Sequence, residues 1–151
     1  MIEYTVKIDE QGTRIWYLNG KRHREDGPAV EKADGTKFWY KNGEYHRLDG
    51  PAIERVDGYK EWYQNDQLHR EDGPAIECPD GYKAWYQNGK THRVDGPALE
   101  YANGNKEWWI NDDYLTEEEF KKRTKFKSII MDGKEIKLSI ESFNELKKQL
   151  T

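Results

Sequence analysis

Residues 42–64 read NGEYHRLDGPAIERVDGYKEWYQ, and the chain repeats this pattern without a gap. Copies of the same 23 residues occupy 19–41, 65–87 and 88–110, with partial units at 8–18 and 111–115. The histidines fall in register at His23, His46, His69 and His92. A fixed period of this length predicts a stack of small units that bury their apolar surfaces against one another.

Each unit has the pattern of a β-hairpin. In 19–41, the aromatic run Thr36–Tyr40 favours a strand. Two turn signals frame it, a two-residue turn at Asp34-Gly35 and another at Asn42-Gly43. Two strands per unit, at about 4.8 Å between strands, would place equivalent residues about 10 Å apart. The sequence therefore predicts a mainly β solenoid of four repeats, in which like side chains form rows.

Residues 85–104, WYQNGKTHRVDGPALEYANG, resemble a divergent MORN (membrane occupation and recognition nexus) repeat. The resemblance covers about residues 8–115, and it departs from the family pattern at Arg24 and Pro28. The units are also similar to HRxDGPAxE repeats in uncharacterised proteins of bacteriophages and large viruses. Those proteins often carry LTEEEF after the repeats, as residues 115–120 do here. The resemblance implies a twisted β-hairpin solenoid with a scaffold or interaction role and no reaction.

The composition changes at Thr116, so we predict a repeat region over 1–115 and a small α+β cap over 116–151. Thr116 and Glu119 form a capping-box pattern that begins a short helix through about Arg123. A hairpin around Asp132-Gly133 follows. Ser139 then caps a final helix with an apolar stripe. The stripe contains Ile140, Phe143, Leu146 and Leu150. The alternative is a docking or dimerisation module, so a homo-oligomer through this region stays open.

The charge balance excludes some partners. The chain has 29 acidic and 25 basic residues, net −4. Residues 1–115 hold 16 basic and 22 acidic residues, which gives −6. This disfavours duplex nucleic acid and anionic membranes. Cys78 is the only cysteine, and the first residues lack a signal-like apolar run. These features favour a reducing cytoplasm, that of the host cell if the protein is viral.

The repetition also argues against a metal, a cofactor and catalysis. Histidines about 10 Å apart cannot share one ion, and a pair such as His46 and Asp49 is too small for a zinc site. We expect each His and Asp to hydrogen-bond turn backbone. Cys78 occupies a variable position that we expect to face solvent, with nothing to lower its pKa. We therefore expect a protein that is not an enzyme.

The neighbouring Trp and Tyr of each unit are expected to point to opposite faces of a strand. One of them would build the core. The other would either form an exposed binding row beside arginines, or be covered by stems such as those of Lys60 and Lys83. The candidate binding residues are Trp39, Tyr40, Arg47, Trp62, Tyr63, Arg70, Trp85, Tyr86 and Arg93.

A host or viral protein is the favoured partner, because extended repeat surfaces commonly bind proteins. The phage-like resemblance makes a counter-defence or host-takeover factor the specific expectation. Aromatic and arginine side chains could instead sequester a small anionic, nucleotide-like ligand by stacking and phosphate contact. A structural scaffold or virion component is the third possibility.

Overall fold

The computed structural model describes residues 1–149, the side chains of Lys127, Ile140 and Glu141 excepted. It is built mainly from short antiparallel strands, which confirms the predicted mainly β class. The elements are β1 (Thr5–Ile8), β2 (Arg14–Leu18), β3 (Lys21–Arg22), β4 (Val30–Glu31), β5 (Lys37–Phe38), β6 (Tyr40–Lys41), β7 (Glu44–Tyr45), β8 (Ile53–Glu54), β9 (Lys60–Glu61), β10 (Tyr63–Gln64), β11 (Gln67–Leu68), β12 (Ile76–Glu77), β13 (Lys83–Ala84), β14 (Tyr86–Gln87), β15 (Lys90–Thr91), β16 (Leu99–Glu100), β17 (Lys106–Ile110), β18 (Asp113–Leu115), α1 (Glu117–Thr124), β19 (Phe126–Met131), β20 (Lys134–Ser139) and α2 (Ile140–Gln149).

The largest sheet runs the length of the repeat region. Its strand order is β1-β2-β4-β5-β8-β9-β12-β13-β16-β17-β18, and its neighbouring strands are antiparallel. Each 23-residue unit adds two consecutive strands to this order, such as β4 with β5 and β8 with β9. Because adjacent strands lie about 4.8 Å apart, this order sets a repeat of about 10 Å along the sheet.

The turn within each main hairpin differs from the prediction. In the first unit, the Gly35 N–H donates to the Lys32 carbonyl at 3.0 Å and the Lys32 N–H to the Thr36 carbonyl at 2.9 Å. The loop therefore has three residues, not the two predicted at Asp34-Gly35. Gly35 takes φ +92°, the left-handed position that closes such a loop. The Asp34 carboxylate fixes it by accepting from the Thr36 N–H at 2.8 Å.

The second turn is the predicted two-residue one. Lys41 pairs directly with Glu44, so Asn42 and Gly43 alone form the connection. Their φ angles of +55° and +90° are both positive, as a type I′ turn requires. This turn joins β6 and β7 into a small hairpin separate from the main sheet.

The aromatic run is divided at its tryptophan. β5 ends at Phe38 and β6 begins at Tyr40. Between them, the Trp39 N–H donates to the Ala52 carbonyl at 2.8 Å, while its carbonyl accepts from the His46 N–H at 3.1 Å. The predicted continuous strand is wrong here, because Trp39 bonds to the next main-sheet segment on one side and to the small hairpin on the other. The chain passes from one to the other at this residue.

The two faces of the main sheet differ in chemistry. On one face, Val30 lies opposite Phe38, and Phe38 opposite Ile53. Ala29, Val30 and Tyr40 form the buried core there, with Ile15, Phe38 and Tyr45 packed against it. On the other face, glutamate and lysine alternate across successive strands, a pairing that adds about 0.2–1 kcal/mol per contact. The alternating residues are Glu31, Lys37, Glu54, Lys60, Glu77, Lys83, Glu100 and Lys106.

The C-terminal elements form where the sequence predicted them. Thr116 and Glu119 make the predicted capping box at the start of α1, which contacts β17 and β18 and buries Phe120. β19 and β20 form a hairpin around Asp132-Gly133. Ser139 Oγ accepts from the Ser142 N–H at 3.1 Å where α2 begins, and α2 contacts both strands. Leu150, the last residue of the predicted stripe, lies outside the described residues.

Candidate functional site

The arginine of each repeat loop bends back over its own loop. In the second unit, Arg47 Nε donates to Asp49 Oδ1 at 2.9 Å. Its Nη1 donates to the Pro51 carbonyl at 3.1 Å and to Glu54 Oε1 at 2.8 Å. Arg24, Arg70 and Arg93 make the same three hydrogen bonds in their units. One guanidinium thus ties the loop to the outer face of the main sheet.

A tryptophan completes each of these clusters. The Arg47 guanidinium carbon lies 3.9 Å from the centroid of the Trp39 ring, and Arg70 lies at the same distance from Trp62. Arg93 and Trp85 repeat the contact. A cation over a tryptophan face at this distance is favourable by about 1 kcal/mol. We call the arginine with its Trp, Asp, Glu and proline carbonyl the arginine clamp.

The glycine of each loop makes room for the clamp. A Cβ at Gly50 would lie 2.8 Å from the Arg47 guanidinium carbon. Gly73 and Gly96 are equally close to Arg70 and Arg93, at 2.8 and 2.9 Å. The Asp-Gly-Pro run is thus explained by the close approach of a guanidinium rather than by a left-handed backbone.

Each histidine holds the turn of the following unit. The Asn42 N–H donates to His23 Nδ1 at 3.0 Å, and the Asn65 N–H to His46 Nδ1 at 3.2 Å. His69 and His92 accept in the same way. The same Nδ1 atoms lie 2.9 Å from Asn42 Oδ1 and 3.0 Å from Asn65 Oδ1, so each of these two rings contacts both the backbone and the side chain of the turn asparagine. This confirms the predicted histidine contact with turn backbone. For the loop aspartates the backbone contact is the smaller one, since Asp49 bonds chiefly to Arg47.

Two tyrosines of the predicted binding set, Tyr40 and Tyr63, lie with the core, while Tyr86 is half-buried. Tyr40 is 7% exposed and stacks on Tyr45 at 4.3 Å between ring centroids. Tyr45 in turn contacts Tyr63 at 5.3 Å. Burial raises the pKa of the Tyr63 hydroxyl to about 12. The Trp–Tyr neighbours therefore occupy different environments, as predicted, and the ring outside the core is covered by arginine rather than by lysine stems.

Three clefts lie in a row between successive loops. The first, of about 600 Å³, lies between residues 23–28 and 46–49 over Trp39. The second, of about 650 Å³, and the third, of about 450 Å³, repeat this arrangement over Trp62 and Trp85. The predicted Trp and Arg residues thus meet in the clefts. Tyr40 also borders the first cleft.

The rim of the clefts contains residues that the sequence reasoning missed. The position after His-Arg varies within an otherwise repeated loop. It is occupied by Glu25, Leu48, Glu71 and Val94, which border the clefts. The Leu48 residue is 75% exposed. Variation at one position of a repeated unit was the available signal, because a residue with a fixed structural role would recur.

The charges of each clamp leave a negative excess. The Arg47 guanidinium is shared by the Asp49 and Glu54 carboxylates, two negative charges for one positive. The hydrogen bond from Arg47 holds the pKa of Asp49 below its usual range, and Asp26 and Asp72 are lowered in the same way. An anionic ligand at these arginines would compete with two carboxylates already in place.

Other reactive groups are separate from the clefts. Cys78 is partly exposed, and burial raises the pKa of its thiol, in line with the expectation that nothing lowers it. Within residues 1–149, no three His, Cys, Asp or Glu side chains come close enough to hold a metal ion. In the same part of the chain, no helix has the length and apolar character needed to cross a membrane.

Comparison of the chain with protein-family models, with curated proteins and with solved structures gives no match.

Proposed function

We propose that this chain is a non-catalytic, MORN-like hairpin solenoid of four repeats that binds another protein through its row of clefts. The observation that carries the proposal is the recurrence of one cleft at three successive positions, each over a tryptophan. A row of like sites suits an extended partner, whereas a small ligand is usually enclosed in one concave pocket.

The satisfied clamps support a protein partner over a nucleotide. Arg47 and Arg70 each bond to two carboxylates and one carbonyl, so neither offers a free cation to a phosphate. The groups left available are apolar or acidic rim residues, with Lys41 beside them at the first cleft. Leu48, at the junction of the first two clefts, has the exposure of an apolar anchor that becomes buried on association.

The biological setting of the proposal comes from the resemblance to phage and large-virus repeats. On that basis, the proposed partner is a host protein in the cytoplasm, and the proposed role is a counter-defence inhibitor. The repeat region presents one surface many times and offers no reacting constellation, which suits inhibition by occupancy.

The test is a comparison of two substitutions that add the same charge. Leu48→Arg places a long cation at the rim of two clefts, while Val56→Arg adds it at a 65% exposed valine outside them. Tagged wild-type protein and both variants are used for affinity purification from host-cell extract, with native mass spectrometry of the eluates.

We expect a stoichiometric partner protein with wild type and Val56→Arg, and at least a tenfold loss with Leu48→Arg, as removal of an anchor of about 1.4 kcal/mol or more would give. Equal capture of the partner by the two variants would show that the clefts are not part of the binding surface. A bound nucleotide in place of a protein would favour ligand sequestration.

A further inference from the structure

We propose that the partner presents an extended polyproline II segment with a lysine or arginine at every third residue, one basic side chain entering each cleft. This inference rests on the proposed binding function and adds the chemistry and the spacing of the bound segment. Three properties of the clefts carry it: their period, their charge and their apolar floor.

The period limits the conformation of the bound segment. Two strands per unit set an interval of about 10 Å between clefts. A polyproline II chain has three residues per turn and rises about 3.1 Å per residue, so every third side chain returns to the same side after about 9 Å. In a β-strand, residues three apart point to opposite faces. An α-helix returns to the same side after seven residues, at about 10.5 Å. The period therefore excludes a β-strand, and the tryptophan and proline lining of the clefts favours polyproline II over a helix.

The charge selects the side chain. Three loop carboxylates border each cleft, and the two loop arginines beside them are already held in clamps. The first cleft has Glu25, Asp26 and Asp49, the second Asp49, Glu71 and Asp72, and the third Glu71, Asp72 and Asp95. Lys41 also borders the first cleft. The aspartate side chains are 76–85% exposed, and each bonds its arginine through Oδ1. The second and third clefts each have three carboxylates against two arginines, so a cation entering them meets an excess of one carboxylate, whereas the first cleft is balanced.

The floor suits the rest of such a segment. Each cleft is lined by a loop proline and by a tryptophan, one ring face of which carries the clamp arginine, such as Pro51 with Trp62 in the second. Aromatic-lined grooves are a common docking surface for polyproline II chains. The aliphatic stems of lysine or arginine pack on the same surfaces while their charged ends reach the carboxylates.

An unpartnered ring nitrogen borders the first cleft. His23 is 4% exposed, and its Nε2 atom has no hydrogen-bond partner within residues 1–149. The nearest carboxylate oxygen is Glu25 Oε1 at 3.8 Å, and the Glu25 side chain is 60% exposed. A ligand cation that draws Glu25 outward would open the Nε2 atom to a polar group of the bound segment. His69 and Glu71 repeat the 3.8 Å pair.

The experiment uses labelled peptides of one composition and fluorescence anisotropy with the full chain. The probe is four Pro-Pro-Lys triplets. Its control has the same prolines and lysines with irregular lysine spacing, so charge and conformation are kept and only the period changes. We expect the periodic peptide to bind about tenfold more tightly, because its lysines occupy several clefts at once.

Two double variants, each of which removes two carboxylate charges, test whether the peptide binds at the clefts. Glu25→Gln with Glu71→Gln removes two rim carboxylates that have no arginine partner, and we expect at least a fivefold loss of affinity for the periodic peptide. Glu10→Gln with Glu44→Gln makes the same charge change at exposed positions outside the clefts and should leave the affinity unchanged.

Equal affinity for the two peptides, or no binding of either, would overturn the inference. Tighter binding of a helical peptide with lysine at every seventh residue would replace polyproline II with a helix. If Leu48→Arg still abolishes capture of a stoichiometric protein while the peptides fail, only the nature of the segment is wrong. If the peptides do not bind and Leu48→Arg also leaves capture of the partner protein unchanged, the proposed function fails as well.

Discussion

The arginine clamps and the cleft rims lie side by side in every loop, yet their side chains differ in exposure and in the hydrogen bonds and ion pairs that they make. The Arg side chains of all four clamps are 21% exposed and make the same bonds. Leu48 and Glu71 at the rim are largely exposed and change from unit to unit. The residues that repeat most faithfully are thus engaged in holding the fold, and those that vary remain available to a partner.

Removing a clamp is expected to have the largest effect on stability. Arg47→Ala leaves Glu54 and the Pro51 carbonyl without their donor and uncovers Trp39, so we expect a loss of about 3 kcal/mol in the free energy of unfolding. Arg47→Lys keeps the charge but not the planar set of donors, and should cost about half as much. Urea unfolding followed by tryptophan fluorescence measures both. If Arg47→Ala were as stable as wild type, the clamp would not contribute to the free energy of unfolding.

Adding a methyl group beside a clamp should lower the free energy of unfolding somewhat less than removing the arginine. Gly50→Ala places a Cβ 2.8 Å from the Arg47 guanidinium carbon, so we expect about 2 kcal/mol of destabilisation. Gly27→Ala is the matched change in the first unit, where the distance is 3.1 Å, and should cost less. The same urea titrations test the order of the two variants. A reversed order would mean that the loops relax around the added methyl group.

Acid should weaken the clamps gradually. The hydrogen bond from Arg47 lowers the pKa of Asp49 in the folded protein. The stabilisation is therefore complete above the ordinary aspartate pKa of about 3.9 and is lost as the pH falls through the lowered value. We expect Asp49→Asn to be less stable than wild type at pH 7 and the difference to shrink towards pH 2, with Glu10→Gln as the control. A pH-independent difference would contradict this.

Changing the rim should have the smallest effect on stability. Leu48→Ser removes an exposed side chain that contributes little to the core, so we expect a change below about 0.5 kcal/mol. Circular dichroism during thermal unfolding checks this. A large loss of stability would mean that Leu48 belongs to the packed structure. Rim residues would then stabilise the fold as the clamps do.

Much of the local structure was predictable. The type I′ turn at Asn42-Gly43, the capping box at Thr116 and the Ser139 cap follow from residues that are neighbours in sequence. The division of the aromatic run at Trp39 was not, because it depends on backbone partners in two other segments. The clamp was missed for a similar reason, since Arg47 and Glu54 are seven residues apart and meet only when the loop folds back.

The sequence alone determined the period, the hairpin in each unit and the rows of equivalent residues, because turns and strands respond to local backbone preferences. The tertiary structure decided which members of those rows are engaged and which are free. That outcome depends on three-dimensional approach: a guanidinium meeting two carboxylates and a ring is neutralised and covered, while a side chain one position further on is left at the rim of a cleft.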